Sequence, residues 1–244
     1  MKQEWQAFWL AVGFLTRIPM PVKIDYSQAL MNRSSLYFPL VGLLLGGLYA
    51  ALFTGLAAFW SLPVCIGLVL AFHLWTTGAF HEDGLADSMD ALGGGYTVAR
   101  RLEIMKDSRI GTYGAVALFV ALGLKVVLLM DAEPVWLALL VTPAIGRLTP
   151  LLLMRFLPYV TDPDTSKSKP VAEAFSGQRL LLATLFTVVV ALLFSVWLPA
   201  LLAVGVVALL WGASLKRQLG GYTGDALGAS VVFTELVFLL GLAL

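Results

Sequence analysis

The chain has 244 residues, of which 59% are hydrophobic and only 13% are charged, whereas a soluble domain carries about 25% charged residues. This composition excludes a soluble globular protein, and the mean hydropathy of +0.88 makes the lipid bilayer the solvent for the fold. A formal net charge of +1 predicts no nucleic-acid partner, and the single cysteine, Cys65, excludes a disulfide framework and a thiolate metal site.

The N-terminal segment is predicted to be a retained helix at the membrane interface. Residues 5–15 are apolar, but no small-residue cleavage pattern follows them. The residues after this stretch, 17–21, contain Arg17 and two prolines, which are expected to end the helix. The segment is therefore expected to lie on the membrane rather than to be a cleaved signal peptide.

The rest of the chain predicts an all-α polytopic membrane protein with about seven transmembrane helices, each near the ~20 residues that a bilayer requires. No linker is long enough to separate a second domain, so residues 1–244 are expected to form one unit. The predicted spans are 36–60, 62–80, 113–130, 135–156, 180–199, 200–215 and 226–244.

Charge predicts the orientation of these spans. Alternate connections are very short, so the long polar loops 81–112, 157–179 and 216–225 fall on one side with the N-terminus. Nearly all Lys and Arg residues lie on that side, whereas the turn 131–134 has two acids and no basic residue. The positive-inside rule places the N-terminus and the long loops in the cytoplasm of a cell whose inner membrane holds the protein. Lys125 is expected to extend outward to the opposite interface.

An acidic cluster opens the first long loop. Asp83, Asp87 and Asp90 are spaced i, i+4, i+7, which stacks three carboxylates on one face of a helix that continues from the second span. No basic residue lies between them, so either their pKa values rise or a cation compensates them. Oxygen ligands of this kind suit Mg²⁺. The alternative is a solvated acidic helix end.

Basic residues follow within the same loop. Thr97 is a natural N-cap for a helix that runs to Lys106, and flanking glycines permit this helix to fold back over the acids. Lys106 and Arg109 bracket Asp107 and are candidates for phosphate contact. Arg100 and Arg101 would face the acids too, with a positive-inside anchoring role as the alternative.

Two further polar stretches belong to the long loops. Residues 161–170 have turn chemistry throughout and are expected to form a mobile loop whose position suggests a lid. Residues 220–229 are rich in glycine and run into the last span, where free N–H groups would form a phosphate cradle. Small-residue packing between spans is the equally weighted alternative for the second stretch.

These segments together resemble the adenosylcobinamide-GDP ribazoletransferase family, also called cobalamin synthase. The longest run, KDSRIGTYG, is highly specific, and the matching pieces extend over nearly the whole chain. They are FLTRIP at 14–19, YFPLVG at 37–42, DGLAD at 83–87 followed by Asp90, EIMKDSRIGTYG at 103–114, and GYTGD at 221–225.

The resemblance implies a Mg²⁺-dependent enzyme of the inner membrane that acts late in cobalamin biosynthesis. Such an enzyme joins adenosylcobinamide-GDP to α-ribazole or α-ribazole 5′-phosphate and releases GMP. Besides these substrates, the expected partners of the enzyme are membrane lipids, and a homo-oligomer is compatible with the sequence. Together with the patterns above, it gives metal ligands Asp83, Asp87, Asp90 and Glu82; catalytic residues Asp107, Asp225 and His81; and substrate contacts Arg101, Lys106, Ser108, Arg109, Thr112, Arg147 and Thr223.

Three rival functions remain at this stage: a CDP-alcohol phosphotransferase that makes a lipid, a divalent-cation transporter, and a structural membrane scaffold, which gives no reason for metal-ligand spacing beside a phosphate-binding set. The family is distantly similar to the CDP-alcohol phosphotransferases, but Asp87 and Ser88 stand where their motif has alanine and arginine. A divalent-cation transporter would instead place acids near mid-membrane in two related halves.

Two charges are expected deep in the membrane. Arg147 and Glu235 each lie nine residues from the cytoplasmic end of their predicted spans, or roughly 13 Å inward. Charges at that depth are paired or line a wet cavity. We expect an Arg147–Glu235 ion pair, with substrate contact by Arg147 as the alternative, and an irregular helix between Pro143 and Pro150.

Overall fold

The computed structural model describes residues 2–160, 175–193 and 198–243. The regular structure of these residues is helical, which confirms the all-α prediction; the stretch 161–170 lies outside them. The helices are α1 (Lys2–Leu15), α2 (Gln28–Ser34), a 3-10 turn (Ser35–Tyr37), α3 (Phe38–Leu56), α4 (Leu62–Thr77), α5 (Phe80–Gly94), α6 (Val98–Lys106), α7 (Thr112–Asp131), α8 (Val135–Gly146), α9 (Leu148–Phe156), α10 (Gly177–Leu193), α11 (Leu198–Leu219) and α12 (Gly224–Leu242).

Five helical segments of the described ranges are long and apolar enough to cross a membrane, or six if α4 and α5 form one bent span. They are Gln28–Leu56, Thr112–Asp131, Val135–Phe156, Leu198–Leu219 and Gly224–Leu242. A multi-pass membrane protein is therefore confirmed at this level, whereas the count of seven and the orientation stay predictions. Helix α10, with 17 residues, is apolar but shorter than these segments.

The second predicted span is wrong in its continuity. We expected one helix to pass from 62–80 into the acidic cluster, but α4 and α5 meet at an angle of 84°. Gly78 and Ala79 both adopt left-handed backbone conformations, with φ of 69° and 54°, and this ends α4. The helix over the acidic residues is confirmed, although it is a separate element.

The boundary between the fifth and sixth predicted spans is also wrong. We placed it at Pro199–Ala200, but α11 begins at Leu198 and continues to Leu219. Proline is tolerated in the first turn of a helix, because the first N–H groups have no intrahelical partner there. Pro199 therefore lies in the same helix as Ala200, within the sixth helix rather than at the end of the fifth.

Close backbone contacts form the centre of the bundle. A Cβ atom at Gly42 or Gly46 of α3 would clash with the main chain of α8, so these glycines allow the two helices to touch. Helices α8 and α9 break at Arg147, as the two flanking prolines predicted.

Helix α12 lies in the middle of the molecule and holds α5 in place. A Cβ atom at Gly84 would lie 2.6 Å from the carbonyl oxygen of Asp225 and 3.2 Å from the Cα atom of Gly228. Since only glycine permits this approach, the Gly84–Gly228 contact fixes the height of α5 against α12. The acidic face of α5 is positioned by this contact.

Candidate active site

A cavity of about 550 Å³ lies at the junction of α4 and α5. It is bounded by the segment after α1, the first turns of α5 and the loop before α7. It thus brings Glu82, Asp83 and Asp87 together with Ser108 of the KDSRIGTYG run, four residues of the predicted site. Its lining residues are Phe14, Thr16, Arg17, Thr77, Gly78, Ala79, Phe80, Glu82, Asp83, Ala86, Asp87, Ser108, Ile110 and Leu118.

Three carboxylates line this cavity with different exposure. Asp83 is exposed and Asp87 is half-buried one turn further along α5. Glu82 is only 5% exposed, and its Oε1 atom lies 3.1 Å from Nε2 of His73. The Oε2 atom of Glu82 is buried and has no hydrogen-bond partner among the described residues. The cavity therefore has an acidic side, formed by Glu82, Asp83 and Asp87.

Asp90 does not line the cavity, which corrects the expected stack of three aspartates. Its Oδ2 atom accepts a hydrogen bond from the N–H of Gly111 at 2.6 Å, and its Oδ1 atom accepts one from Gly114 at 2.8 Å. A carboxylate at a helix N-terminus accepts hydrogen bonds from N–H groups that lack an intrahelical partner, and its negative charge interacts favourably with the helix dipole. Asp90 thus anchors α7, and its proposed role in metal binding stays a prediction.

Within the described part of the chain, no three His, Cys, Asp or Glu side chains converge to hold a metal ion. The four-residue ligand set is therefore not assembled. Mg²⁺, however, is commonly held by one or two carboxylates, with substrate phosphates and water completing its octahedron. Asp83 and Asp87 beside a water-accessible cavity fit that requirement.

The basic residues of the loop make other contacts. Arg101 donates hydrogen bonds to the carbonyls of Gly95 at 2.8 Å and Gln218 at 2.7 Å, which attaches α6 to the end of α11. Arg100 pairs with Glu103 on the helix surface at 2.7 Å. These two arginines do not face the acids as expected, because main-chain carbonyls and a neighbouring helical acid satisfy them.

Helix α6 itself is confirmed, with Thr97 as its N-cap, and the residues after it form an ion pair. The Arg109 guanidinium binds Asp107 at 2.6 Å, and these hydrogen bonds raise the pKa of Arg109 above its ordinary value. Lys106 and Thr112 are exposed at either end of this segment. Of this loop, Ser108 and Ile110 line the cavity, whereas Lys106, Asp107, Arg109 and Thr112 are not among its lining residues, and their predicted roles stay predictions.

The beginning of α12 favours the packing alternative over the phosphate cradle. The Thr223 side chain caps the helix by accepting from the Ala226 N–H at 3.1 Å, and Thr223 is 2% exposed. Tyr222 forms a parallel bridge with Tyr159. Asp225 is half-buried, and its backbone lies against Gly84. Substrate contact by Thr223 and catalysis by Asp225 stay predictions.

Arg147 and Glu235 form the ion pair that depth predicted. Arg147 is completely buried and does not line the large cavity. It borders a separate cavity of about 20 Å³ together with His81, which is 2% exposed. The contacts of Arg147 thus support the pair, and the substrate role of Arg147 and the catalytic role of His81 stay predictions.

The expectation for Lys125 is wrong. Its Nζ atom binds Oε2 of Glu235 at 2.6 Å, and the residue is only 9% exposed. Two cations therefore share one carboxylate inside the bundle. Pairing inward outweighs outward extension because the Lys125 ammonium gains a charge-assisted hydrogen bond to the buried Glu235 carboxylate.

Sequence reasoning missed two residues of the site. Arg17 lines the cavity, although no role in the site was predicted for it from the sequence; its place in the FLTRIP segment was the available signal. His73 links the buried Tyr49 hydroxyl, 3.0 Å from its Nδ1 atom, to the carboxylate of Glu82. A lone histidine in an apolar span was the only sequence signal for that link.

Comparison with known proteins gives consistent matches over the full chain. The sequence model of the family described as cobalamin-5-phosphate synthase matches residues 7–243. An adenosylcobinamide-GDP ribazoletransferase of Vibrio cholerae is 42% identical, covering 100% of this chain and 95% of the relative. The enzyme of that name from Shewanella woodyi is 42% identical, covering 100% of this chain and 99% of the relative. The one from Shewanella pealeana is 44% identical, covering 96% of this chain and 93% of the relative. No solved structure matches the chain.

Proposed function

The chain belongs to the cobalamin-5-phosphate synthase family, and we propose that it is an adenosylcobinamide-GDP ribazoletransferase, the name carried by its relatives. It joins adenosylcobinamide-GDP to α-ribazole, or to α-ribazole 5′-phosphate, as a late step of cobalamin biosynthesis. The observation that carries the site assignment is the cavity that holds Asp83, Asp87 and Ser108 together.

The reaction is a phosphoryl transfer. A ribose hydroxyl of α-ribazole attacks the phosphorus on the cobinamide side of the pyrophosphate. A new P–O bond forms, the bond to the bridging oxygen breaks, and GMP leaves with that oxygen and the electron pair. The hydroxyl proton passes to a base or to water. Positioning and charge neutralisation supply most of the catalysis in such reactions.

The acidic side of the cavity has the chemistry of a Mg²⁺ site. Asp83 and Asp87 supply two carboxylates one helical turn apart, and the cavity leaves room for phosphate oxygens and water. When bound, Mg²⁺ would supply positive charge that stabilises the departing GMP. Glu82, held by His73, adds a third carboxylate at the same wall.

The other residues of the cavity bind and orient the substrate. Ser108 lines the cavity, and a serine hydroxyl can donate a hydrogen bond to a phosphate oxygen. Asp107 adjoins Ser108 and is the first candidate to accept the hydroxyl proton, followed by Asp225 and His81. A loose transition state requires little of such a base.

We also propose the membrane context in finer detail. The protein is a multi-pass inner-membrane enzyme whose cavity opens to the cytoplasm, as the distribution of Lys and Arg indicates. The alternatives are not favoured. A lipid-forming CDP-alcohol phosphotransferase would carry the full aspartate motif, and a transporter would carry related acidic sites in two halves.

Purified protein in detergent tests this function directly. Incubation with adenosylcobinamide-GDP, α-ribazole and Mg²⁺ is expected to release GMP and form a cobalamin in equal amounts. Omitting α-ribazole or adding EDTA is expected to abolish the release. Release of CMP from a CDP-alcohol and an alcohol acceptor is not expected, because CMP is the product of the rival CDP-alcohol phosphotransferase. Absence of cobalamin formation by folded protein would refute the proposal.

A further inference from the structure

Arg17 is fixed at the edge of the cavity by its backbone. Its N–H donates to the carbonyl oxygen of Thr76, near the end of α4, at 2.7 Å. The hydroxyl of Thr16 donates to the Val12 carbonyl at 2.7 Å and accepts from the Ile18 N–H at 3.1 Å. The segment that leaves α1 therefore has a defined path against α4, while the Arg17 side chain stays exposed to the cavity.

Gly78 provides the surface on which the Arg17 guanidinium lies. A Cβ atom at Gly78 would clash with Nε of Arg17 and would lie 2.9 Å from its Cζ atom. Gly78 also has a φ of 69°, which disfavours a side chain. The bend that separates α4 from α5 thus forms a flat backbone platform for the guanidinium, directly beside the acidic turn of α5.

Arg17 shares the lining of the cavity with acidic residues. Among the described lining residues, Glu82, Asp83 and Asp87 are acidic, and Arg17 is the only basic one. No carboxylate of the described ranges forms an ion pair with Arg17. A guanidinium has five N–H donors in a fork that matches phosphate oxygens, and the Arg17 side chain lines the cavity.

We propose that Arg17 is a substrate-binding residue whose guanidinium donates hydrogen bonds to phosphate oxygens of the nucleotide pyrophosphate. This inference rests on the proposed function. Arg17 binds the pyrophosphate from the side of Gly78, and Asp83 and Asp87 on α5 would hold the metal ion that supplies further positive charge to it. The same chemistry would also bind the phosphate of a phospholipid headgroup, so the test must separate these two sources.

The test compares Arg17→Gln, Arg17→Lys and wild type, with Arg217→Gln as the control. Arg217 is an exposed arginine near the end of α11 and does not line the cavity. All proteins are assayed in dodecyl maltoside, which contains no phosphate. Arg17→Gln is expected to raise KM for adenosylcobinamide-GDP by at least ~10-fold and KM for α-ribazole by less than ~2-fold. Arg17→Lys is expected to lie between, because an ammonium keeps the charge and loses the fork.

Binding without turnover gives a second measurement. In EDTA, equilibrium dialysis of adenosylcobinamide-GDP is expected to show at least ~10-fold weaker binding to Arg17→Gln than to wild type or the Arg217→Gln control. If Arg17→Gln does not yield monodisperse protein, Arg17→Lys alone is expected to raise both the KM and the dissociation constant for this substrate. Unchanged values for the folded variants would overturn the proposal.

Two outcomes separate the remaining explanations. A defect of Arg17→Gln that appears only in phospholipid vesicles, and not in detergent, would assign Arg17 to a lipid headgroup and overturn the substrate role. Wild-type protein that neither binds nor converts adenosylcobinamide-GDP would refute the proposed function itself, and this inference with it. Active wild type with unaffected Arg17 variants would refute only this inference.

Discussion

The buried charge cluster gives the sharpest stability prediction. Glu235 accepts from Arg147 and from Lys125, and all three residues are at most 9% exposed. Replacing Glu235 with Gln removes the only carboxylate that pairs with these two cations in the described structure. Replacing Lys125 with Met leaves the Arg147–Glu235 pair intact and electrically balanced. The two substitutions should therefore differ strongly, although they break the same 2.6 Å contact.

The expected magnitudes follow from what each variant leaves behind. Glu235→Gln leaves two buried cations without their anion, which should cost ~3–5 kcal/mol of unfolding free energy. Lys125→Met loses one charge-assisted hydrogen bond, at ~1.5–3 kcal/mol. The double variant Arg147→Met with Glu235→Met should recover little, because Lys125 then remains unpaired. Only adding Lys125→Met to that pair should recover much of the loss.

The predicted order of stabilities is measured by thermal and denaturant unfolding in detergent. Unfolding is followed by intrinsic tryptophan fluorescence and by the recovery of monodisperse protein. Additivity is read from the complete set of single, double and triple variants. The reasoning would be refuted if Lys125→Met destabilised the protein as much as Glu235→Gln. It would equally be refuted if the double variant were already as stable as the triple one, since Lys125 would then need no partner.

Three other predictions concern the active site. Asp83→Asn and Asp87→Asn should each lower GMP release at least ~100-fold at limiting Mg²⁺ without loss of folding, whereas Asp131→Asn, on the opposite turn, should be active. Asp90→Ala should lower the free energy of unfolding by ~1–2 kcal/mol, measured by thermal denaturation, because two N–H groups at the start of α7 lose their acceptor. A cysteine replacing Ser108 in a chain without Cys65 should react with a membrane-impermeant maleimide only from the cytoplasmic side; periplasmic labelling would refute the predicted orientation.

Helix existence was predictable along the chain, and helix boundaries were less so. Apolar runs predicted the spans near α3, α7, α8 with α9, α11 and α12, because a bilayer requires long apolar helices with satisfied backbones. Periodicity alone does not show that Gly78 and Ala79 take left-handed conformations, so the 84° bend before α5 was missed. Pro199 likewise was read as an end, although proline is equally suited to a beginning.

The site was predictable as a set of residue types more than as a set of contacts. The i, i+4 spacing of Asp83 and Asp87 placed both on one helical face, and the structure brings both to the cavity. The spacing also placed Asp90 on this face. In the structure, however, its carboxylate accepts hydrogen bonds from N–H groups at the start of α7, the first of them from Gly111, 21 residues later in the sequence. Arg101 was expected near the acids, and main-chain carbonyls of α11 and the preceding turn bind it instead.

The sequence by itself determined the helical class, the membrane environment and the family, because these depend on composition, apolar length and local motifs. It also predicted that Arg147 and Glu235 would pair, since two charges at similar depth in hydrocarbon have few other partners. Only the tertiary structure decided which groups share a contact across distant segments. Lys125 pairs inward rather than outward, and Arg17, far from the acids in sequence, lies beside them. Such contacts depend on how α7 packs against α12 and how the segment after α1 packs against α4 and α5, and this packing has no signature in any single stretch of chain.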